Sequence, residues 1–332
     1  MNTETFTERL FSITSGGSFD HLALDIFQYQ AQHNPVYRTY IQHLGILTDS
    51  IKNVSQIPFL PIEFFKTQKV ISGNRPVEIQ FSSSGTTSDK PAQHHLSDLA
   101  LYDAVFTRGF ELAYGAPDQY VFLALLPSYL ERTGSSLVYM ADKLIHLSKN
   151  ANSGFYLDNL DELISKIEEQ EQARQRYILL GVTYSILDLA NRYLQKKLSP
   201  LQCAIIMETG GMKGKRKEMI RPEVHQLLRQ AFGMKNIHSE YGMTELLSQA
   251  YSKENGLFSC PPWMRVSIRD TNDPFKSLGA NRTGGINVID LANIYSCSFL
   301  ATQDLGKMVE ENEFEVLGRF DGSDQRGCNL LI

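Results

Sequence analysis

Hydroxyl-bearing residues crowd a single glycine in Ser82-Ser83-Ser84-Gly85-Thr86-Thr87-Ser88, and Lys90 follows five positions after that glycine. In such a loop, backbone N–H groups and short hydroxyls converge on an anion and a lysine adds a point charge. Phosphate binding is the chemistry this pattern can do. It is not a Walker A sequence, which needs a glycine directly before the lysine; Asp89 stands there. A plain surface turn has the same composition, so the loop alone does not decide. Two more polar, glycine-containing segments lie further along, Glu208-Thr209-Gly210-Gly211 and Glu240-Tyr241-Gly242-Met243-Thr244-Glu245.

The elements around these segments decide whether they can meet. Val77 to Phe81 alternates apolar and polar like a half-buried strand, and it empties into the Ser/Thr loop. Upstream, Leu22 to Gln32 and Val36 to Leu44 have helical spacing, with Asn34-Pro35 as break and restart. Downstream, Leu96 to Tyr114 reads as one long helix with Ser97-Asp98 near its start. Strands and helices then alternate: Tyr120 to Leu126, Phe155 to Leu157, Tyr177 to Val182 and Cys203 to Met207 as strands, with Ser135 to Leu147, Leu160 to Ile167, Ser185 to Leu198 and Lys217 to Phe232 as helices. Such alternation predicts an α/β fold of αβα layers around a predominantly parallel sheet. Near Asn255 the pattern changes to short β-type runs, Arg265 to Arg269, Gly285 to Ile289, Tyr295 to Ala301 and Phe314 to Leu317. The expected organisation is an α/β body over residues 1–255 and a small β-rich subdomain over 256–332. In open α/β sheets ligands bind beyond the carboxyl ends of the strands. All three polar segments sit at such ends, and together they suffice for a nucleotide-sized site.

Composition removes several function classes. A net charge of −5 leaves no nucleic-acid footprint, and the basic cluster Lys213 to Lys217 reads as a solvated helix start. The four cysteines, Cys203, Cys260, Cys297 and Cys328, are far apart, with no zinc spacing and no disulfide framework. Reduced thiols and a cytoplasmic setting fit that usage. The polar, acidic stretch Met1 to Leu10 is no signal peptide. The apolar stretch Tyr120 to Leu126 is too short to span a bilayer.

At this point the ordered motifs resemble the adenylate-forming superfamily of acyl-CoA synthetases. Ser83-Ser84-Gly85-Thr86-Thr87 resembles its phosphate loop, written (S/T)SGTTGxPK, although Ser88 replaces a glycine and Lys90-Pro91 reverses the Pro-Lys order. Tyr241 to Glu245 is similar to the YGxTE motif, Thr209-Gly210-Gly211 to the adenine-side Gly-Gly segment, and Thr302 to Gly306 to the TGD region. Gly318-Arg319-Phe320-Asp321 resembles the GRxD stretch that leads to a hinge. Within the superfamily the chain looks most like the LuxE-like acyl-protein synthetases, relatives of phenylacetate-CoA ligases. Ile57 to Lys66, Ser128 to Arg132 with Gly134 to Leu137, and Arg326-Gly327-Cys328 carry that likeness. Superfamily ligases continue past the hinge into a mobile cap domain that supplies a catalytic lysine. The end at Ile332 gives the expectation that this cap is absent, as in LuxE-like proteins.

The resemblance implies ATP-dependent activation of a carboxylic acid, possibly a fatty acid, as an acyl-adenylate, with transfer of the acyl group to a thiol. ATP and Mg²⁺ are the implied cofactors. It also implies roles. Ser83, Ser84, Gly85, Thr86, Thr87 and Lys90 hold the β- and γ-phosphates, and Thr244 contacts the α-phosphate. Glu245 binds Mg²⁺, and Tyr241 stacks on adenine with Gly210 and Gly211 at the ring edge. Asp304 binds the ribose, helped by Arg319. Lys213 is the candidate cation in place of the cap lysine.

Cys328 is the candidate acyl carrier. Arg326 is placed to lower its thiol pKa, Gly327 gives the backbone freedom to present the sulfur, and LuxE-like proteins carry the acyl group on a cysteine in this tail. Bland readings stand beside these: Cys328 as an incidental thiol, Tyr241 as core, Glu245 as a helix cap, Asp304 as a turn residue. His94-His95 read as solvated or capping, and Glu131-Arg132 as an ion pair or acyl-site lining. Phe122, Leu126, Tyr129 and Met140 fit either an acyl pocket or plain core. The other function readings are an acyltransferase fed by acyl-CoA or acyl-carrier thioesters, and a non-catalytic nucleotide-binding subunit. The acceptor is open among a reductase, a carrier protein, CoA and a sugar amine.

Overall fold

The structure is a computed structural model that describes residues 3–83, 90–126, 134–157, 159–210 and 219–320. Its frame is one long hydrogen-bonded sheet. At one end the parallel strands Gly154–Tyr156, Val121–Leu125, Tyr177–Val182, Ala204–Thr209 and His238–Tyr241 lie side by side in that order. Val121–Leu125 and Tyr177–Val182 are buried along their whole length, as near-continuous apolar runs covered on both faces must be. Antiparallel strands continue the same sheet: Ala250–Ser252, Leu257–Ser259, Glu313–Arg319, Phe299–Glu310, Gly284–Asp290, Met264–Arg269 and Ser277–Leu278. The change of strand direction therefore falls at His238–Tyr241, beside the Tyr241-Gly242-Met243-Thr244-Glu245 segment.

The strand alternation assigns each face its helix. Glu240 is in register with Tyr251, whose ring meets Phe110 and Tyr114 of the helix Leu99–Tyr114. Ser239 points the other way, to His225 of the helix Arg221–Phe232. Helix starts are set by capping side chains: Asp98 Oδ1 accepts the Leu101 N–H at 2.9 Å and Asn159 Oδ1 that of Glu162 at 3.2 Å. Asn34 closes the helix Gly16–His33 and caps the helix Pro35–His43, the break and restart the sequence predicts.

Three expectations shift. Leu96, expected to open the following helix, instead ends a strand, Gln93–Leu96, paired antiparallel with Ile79–Ser82. The helix begins only at Leu99, because Asp98 caps it there. Residues 84–89, outside the described residues, thus join two arms of a hairpin. Ser83 closes its neck: its N–H donates to the Ala92 carbonyl at 3.0 Å, and its Oγ accepts the Ala92 N–H at 2.9 Å. The strand expected over Tyr295 to Ala301 starts at Phe299 and runs to Glu310. Tyr295 to Ser298 belong instead to a turn in which the Asp290 N–H donates to the Ser298 carbonyl at 2.8 Å. The helix expected from Lys217 begins at Arg221 among the described residues.

The N-terminal helices support that turn. Gln30 Nε2 donates to the carbonyls of Asn293 and Ile294 at 3.0 and 2.9 Å, and Gln30 Oε1 accepts the Ser298 N–H at 3.0 Å. Asn293 Nδ2 in turn donates to the Glu245 carbonyl at 2.8 Å. A helix far away in sequence thereby fixes the backbone at the centre of the sheet. Among the described residues no helix is long and apolar enough to cross a membrane, and Cys203, Cys260 and Cys297 are free thiols.

Candidate active site

At the carboxyl end of His238–Tyr241, the Tyr241 hydroxyl donates to Asp304 Oδ2 at 2.9 Å. Arg319 Nε donates to the other oxygen, Asp304 Oδ1, at 3.0 Å. The register places Asp304 directly opposite Arg319, so the pairing of two antiparallel strands builds the ion pair. Asp304 is buried while the Arg319 side chain is 74% exposed, leaving the guanidinium open to solvent on one side. Burial, then the charge of Asp304, pushes the Tyr241 phenol well above its ordinary range, so it stays a donor.

Glu245 is buried just beyond. Burial lifts its carboxyl to about 7, against its own backbone N–H and the positive charges of Arg319 and Lys66, while Asp304 pushes it further up. The segment is held from a second side by His94, whose Nδ1 lies 2.8 Å from the Thr244 carbonyl. His94 is almost wholly buried, with the Phe65 ring edge-on at 5.5 Å, and burial lowers it to about 4. It is a neutral clamp on the Thr244 backbone, not the solvated or capping residue the sequence predicts. His95 is half-buried.

Glu208, one strand over, and Glu240, on the same strand as Tyr241, occupy opposite faces. Glu208 Oε1 accepts from Ser239 Oγ at 2.6 Å, Arg221 Nε at 3.0 Å and His225 Nε2 at 3.4 Å, and its Oε2 accepts from Thr183 Oγ1 at 2.7 Å. Burial by itself would raise this carboxyl, but Arg221 and the other donors hold it down to about 2. Thr183 Oγ1 also lies 3.3 Å from the carbonyls of Thr209 and Gly210. The buried cluster therefore fixes the backbone that delivers Gly210. Glu240, on the other face, accepts one hydrogen bond among the described residues, from Thr209 Oγ1, and burial lifts it to about 7.

Comparison with known proteins bears on what this end of the sheet is. A sequence model described as acyl-protein synthetase, LuxE, matches residues 16–332. The chain belongs to the LuxE acyl-protein synthetase family. No curated protein sequence matches it. Among solved structures it resembles an open conformation of 2-hydroxyisobutyryl-CoA ligase in complex with 2-HIB-AMP and CoA, at 14% identity and TM-score 0.68, over 92% of this chain and 70% of that one. It also resembles ATP-bound MatB from Rhodopseudomonas palustris, at 17% identity and TM-score 0.55, over 74% of this chain and 49% of that one. A third likeness is to FadD1, a long-chain-fatty-acid-CoA ligase from Archaeoglobus fulgidus, at 15% identity and TM-score 0.54, over 73% and 51%. The chain spans about half the length of the last two. These likenesses show the fold of adenylate-forming ligases.

In this LuxE family member, the described residues bring together Tyr241, Thr244, Glu245, Asp304 and Arg319 of the candidates named from sequence. Ser83 stands at the hairpin neck, Lys90 is exposed on its far arm, and Gly210 is exposed at its strand end. Ser84, Gly85, Thr86, Thr87, Gly211, Lys213 and Cys328 lie outside the described residues, as do Tyr129 and Glu131-Arg132. Phe122, Leu126 and Met140 are buried. The sequence reading gave Glu208 and Glu240 no role within their segments, read His94 as solvated or capping, and did not single out Arg221 or His225. Charged residues inside otherwise apolar strands were the available signal for the two glutamates.

Proposed function

We propose that this protein uses ATP to convert a carboxylic acid into an acyl-adenylate and passes the acyl group to a thiol, with Cys328 as the first acceptor. The observation that carries this reading is the Tyr241–Asp304–Arg319 arrangement beside Thr244 and Glu245, in a chain of the LuxE family. A buried carboxylate with its oxygens fixed by a phenol and a guanidinium suits paired ribose hydroxyls. The Tyr241 ring, packed on Phe258 and Phe314 at 5.9 and 5.5 Å, is held rigid for adenine, with Gly210 and Gly211 at the ring edge. ATP-bound and AMP-ester-bound ligases of the same fold support the nucleotide.

The substrate carboxylate attacks the α-phosphorus, and pyrophosphate leaves. Both reactants are anions, so holding them together and offsetting their charge is the main task. Ser83, Ser84, Gly85, Thr86, Thr87 and Lys90 take the β- and γ-phosphates, Thr244 the α-phosphate, and Lys213 adds a cation there. Among the described residues no group of three or more carboxylate, histidine or cysteine side chains can hold a metal. A single buried carboxylate, Glu245, fits Mg²⁺, which binds through one or two carboxylates and the substrate phosphates. When bound, the ion supplies charge neutralisation at the phosphates. The Cys328 thiolate then attacks the acyl carbon, and AMP leaves with the bonding pair.

The test is intact-protein mass after incubation with ATP, Mg²⁺ and a panel of carboxylic acids, followed by hydroxylamine. A hydroxylamine-labile, ATP-dependent adduct on Cys328 is expected. Labelling by acyl-CoA alone, with no ATP-dependent adduct, would replace this reading with an acyltransferase. Nucleotide binding without any adduct or pyrophosphate exchange would leave a binding subunit.

A further inference from the structure

The backbone of Thr244 and Glu245 is held by two side chains that share a cavity. His94 Nδ1 lies 2.8 Å from the Thr244 carbonyl, and Asn293 Nδ2 donates to the Glu245 carbonyl at 2.8 Å. Both residues line one cavity of about 10 Å³, with His95, Ser97 and Leu247 beside them. That is room for a single water-sized molecule. The cavity lies where three segments meet: the hairpin arm Gln93–Leu96, the chain after Tyr241, and the turn at Asn293. The other arm of that hairpin runs into Ser83, which closes the neck against Ala92.

Six side-chain atoms among the described residues are buried without a hydrogen-bond partner, and three of them belong to residues lining this cavity: His94 Nε2, His95 Nδ1 and Ser97 Oγ. Their chemistry is complementary. The Thr244 carbonyl can only accept, so the His94 proton sits on Nδ1. Burial keeps the ring neutral, with its pKa lowered to about 4, which leaves Nε2 a bare lone pair. Asn293 is near enough to favour a proton on the ring, but it makes no hydrogen bond to Nε2. Ser97 is buried too, and its O–H reaches no acceptor. A buried acceptor and a buried donor left unpaired are both costly. One water satisfies both, donating to His94 Nε2 and accepting from the Ser97 hydroxyl. His95 Nδ1 offers a third bond, the usual number for a buried water.

We propose that His94 is a positioning residue of the adenylation site: through Nδ1 it holds the Thr244 backbone, and through Nε2 it is itself held by a single water enclosed in the cavity with Ser97. This deepens, and rests on, the adenylation reading. The other neutral tautomer would aim a bare Nδ1 at a carbonyl oxygen, lone pair against lone pair. A water that donates to Nε2 keeps the proton on Nδ1, and the Phe65 ring, edge-on at 5.5 Å, braces the imidazole. His94 thereby ties the hairpin that leads to the candidate phosphate loop to Thr244, the residue assigned to the α-phosphate. Small misplacements at such a point are expensive, about 100-fold in rate for roughly 1 Å.

The experiment has three readouts, all on the full chain. Long-range proton–nitrogen correlation of the imidazoles, with His94→Asn to assign the signal, is expected to show His94 protonated at Nδ1 alone at neutral pH. A proton on Nε2 overturns the proposal. A high-resolution crystal structure is expected to show one water within hydrogen-bond distance of His94 Nε2 and Ser97 Oγ; a cavity without it overturns the proposal as well. ATP–pyrophosphate exchange reads the role. His94→Phe, which keeps a ring beside Phe65 and loses both nitrogens, is expected to cut kcat by about 10- to 100-fold and leave the acid's KM within about threefold. His94→Asn, whose amide N–H takes the place of Nδ1–H, is expected to recover most of that loss. His94→Gln, whose amide falls on the Nε2 side and leaves the Thr244 carbonyl without a donor, is expected to recover little. A merely structural role would not separate the two amides, so equal rates in Asn and Gln, or an unchanged kcat in His94→Phe, overturn the proposal. Should His94→Phe fail to fold, the contrast between Asn and Gln decides. No exchange by the wild type with any acid would instead overturn the adenylation reading, while the imidazole signal and the crystal structure would still decide whether a water holds His94.

Discussion

Arg221→Met removes the main positive partner of Glu208 while keeping an apolar stem over Phe258, whose ring lies 4.9 Å from the guanidinium carbon. Glu208 is held at about 2 against an ordinary 4.5. Roughly two and a half units, at about 1.4 kcal/mol each, give about 3 kcal/mol of stability at neutral pH. That agrees with the roughly 3–5 kcal/mol lost when one partner of a buried pair is removed. Arg221 Nη1 also donates to the Val316 carbonyl at 2.9 Å, so the change loosens the strand that carries Arg319.

The pH dependence has a definite sign. In the wild type the carboxyl is depressed, so its contribution is fully present above about 4.5 and is lost as pH falls toward about 2. Without Arg221, burial dominates and Glu208 moves upward instead. The variant's deficit is then largest at pH 7 and smaller at pH 5, where the carboxyl takes a proton. Urea unfolding read by fluorescence suits the measurement, because Trp263 is the chain's single tryptophan and is buried. The double variant Glu208→Gln/Arg221→Met should lose less than the sum of its parts. A deficit under about 1 kcal/mol at pH 7, or one that does not shrink at pH 5, would refute the claim that Arg221 is what keeps Glu208 charged.

The site itself gives three further expectations. Asp304→Asn should raise the KM for ATP by about tenfold or more and leave the acid's KM unchanged, since a charged acceptor of two hydrogen bonds is lost on the nucleotide side; steady-state exchange kinetics separate the two. Glu245→Gln should abolish exchange yet stabilise the ligand-free protein. Burial raises this carboxyl to about 7, so ionising it costs up to about 3 kcal/mol above that pH, and the variant's gain in urea unfolding should be full at pH 8 and small at pH 5. Cys328→Ala should retain pyrophosphate exchange and lose the hydroxylamine-labile adduct; a stable adduct on the variant would remove Cys328 from the mechanism.

Much of the frame was legible because burial on both faces writes apolar runs. Tyr177–Val182 and its neighbours declare themselves as strands, and Asn34-Pro35 declares a helix boundary. The site's polar residues were legible only as ordered motifs, since nothing local says that Asp304 will face Arg319. That contact comes from the hairpin register. Gln93–Leu96 was lost for a related reason. Gln93 and two histidines ahead of a single apolar residue, Leu96, give no strand pattern, yet pairing with Ile79–Ser82 and burial of His94 against Phe65 override local preference. The extension of Phe299–Glu310 was masked by Gln303, Asp304, Gly306 and Lys307, which suit a loop in isolation and a paired strand in context.

Glu208 and Glu240 show why identical residue types at one sheet end cannot be ranked from sequence. The register sets Glu208 beside Ser239 and Thr209 beside Glu240, so the two carboxyls sit one step apart on opposite faces. Both are buried. Among the described residues the first meets a guanidinium, an imidazole and two hydroxyls and stays charged, while the second meets one hydroxyl and burial lifts it to about 7. A fully partnered carboxylate has no valence left for a ligand, so Glu208 serves the scaffold and fixes the backbone of Gly210 through Thr183. Glu240 is instead packed against Gly242, where a Cβ would collide with its Oε1, so that glycine is required by space although its backbone is not left-handed.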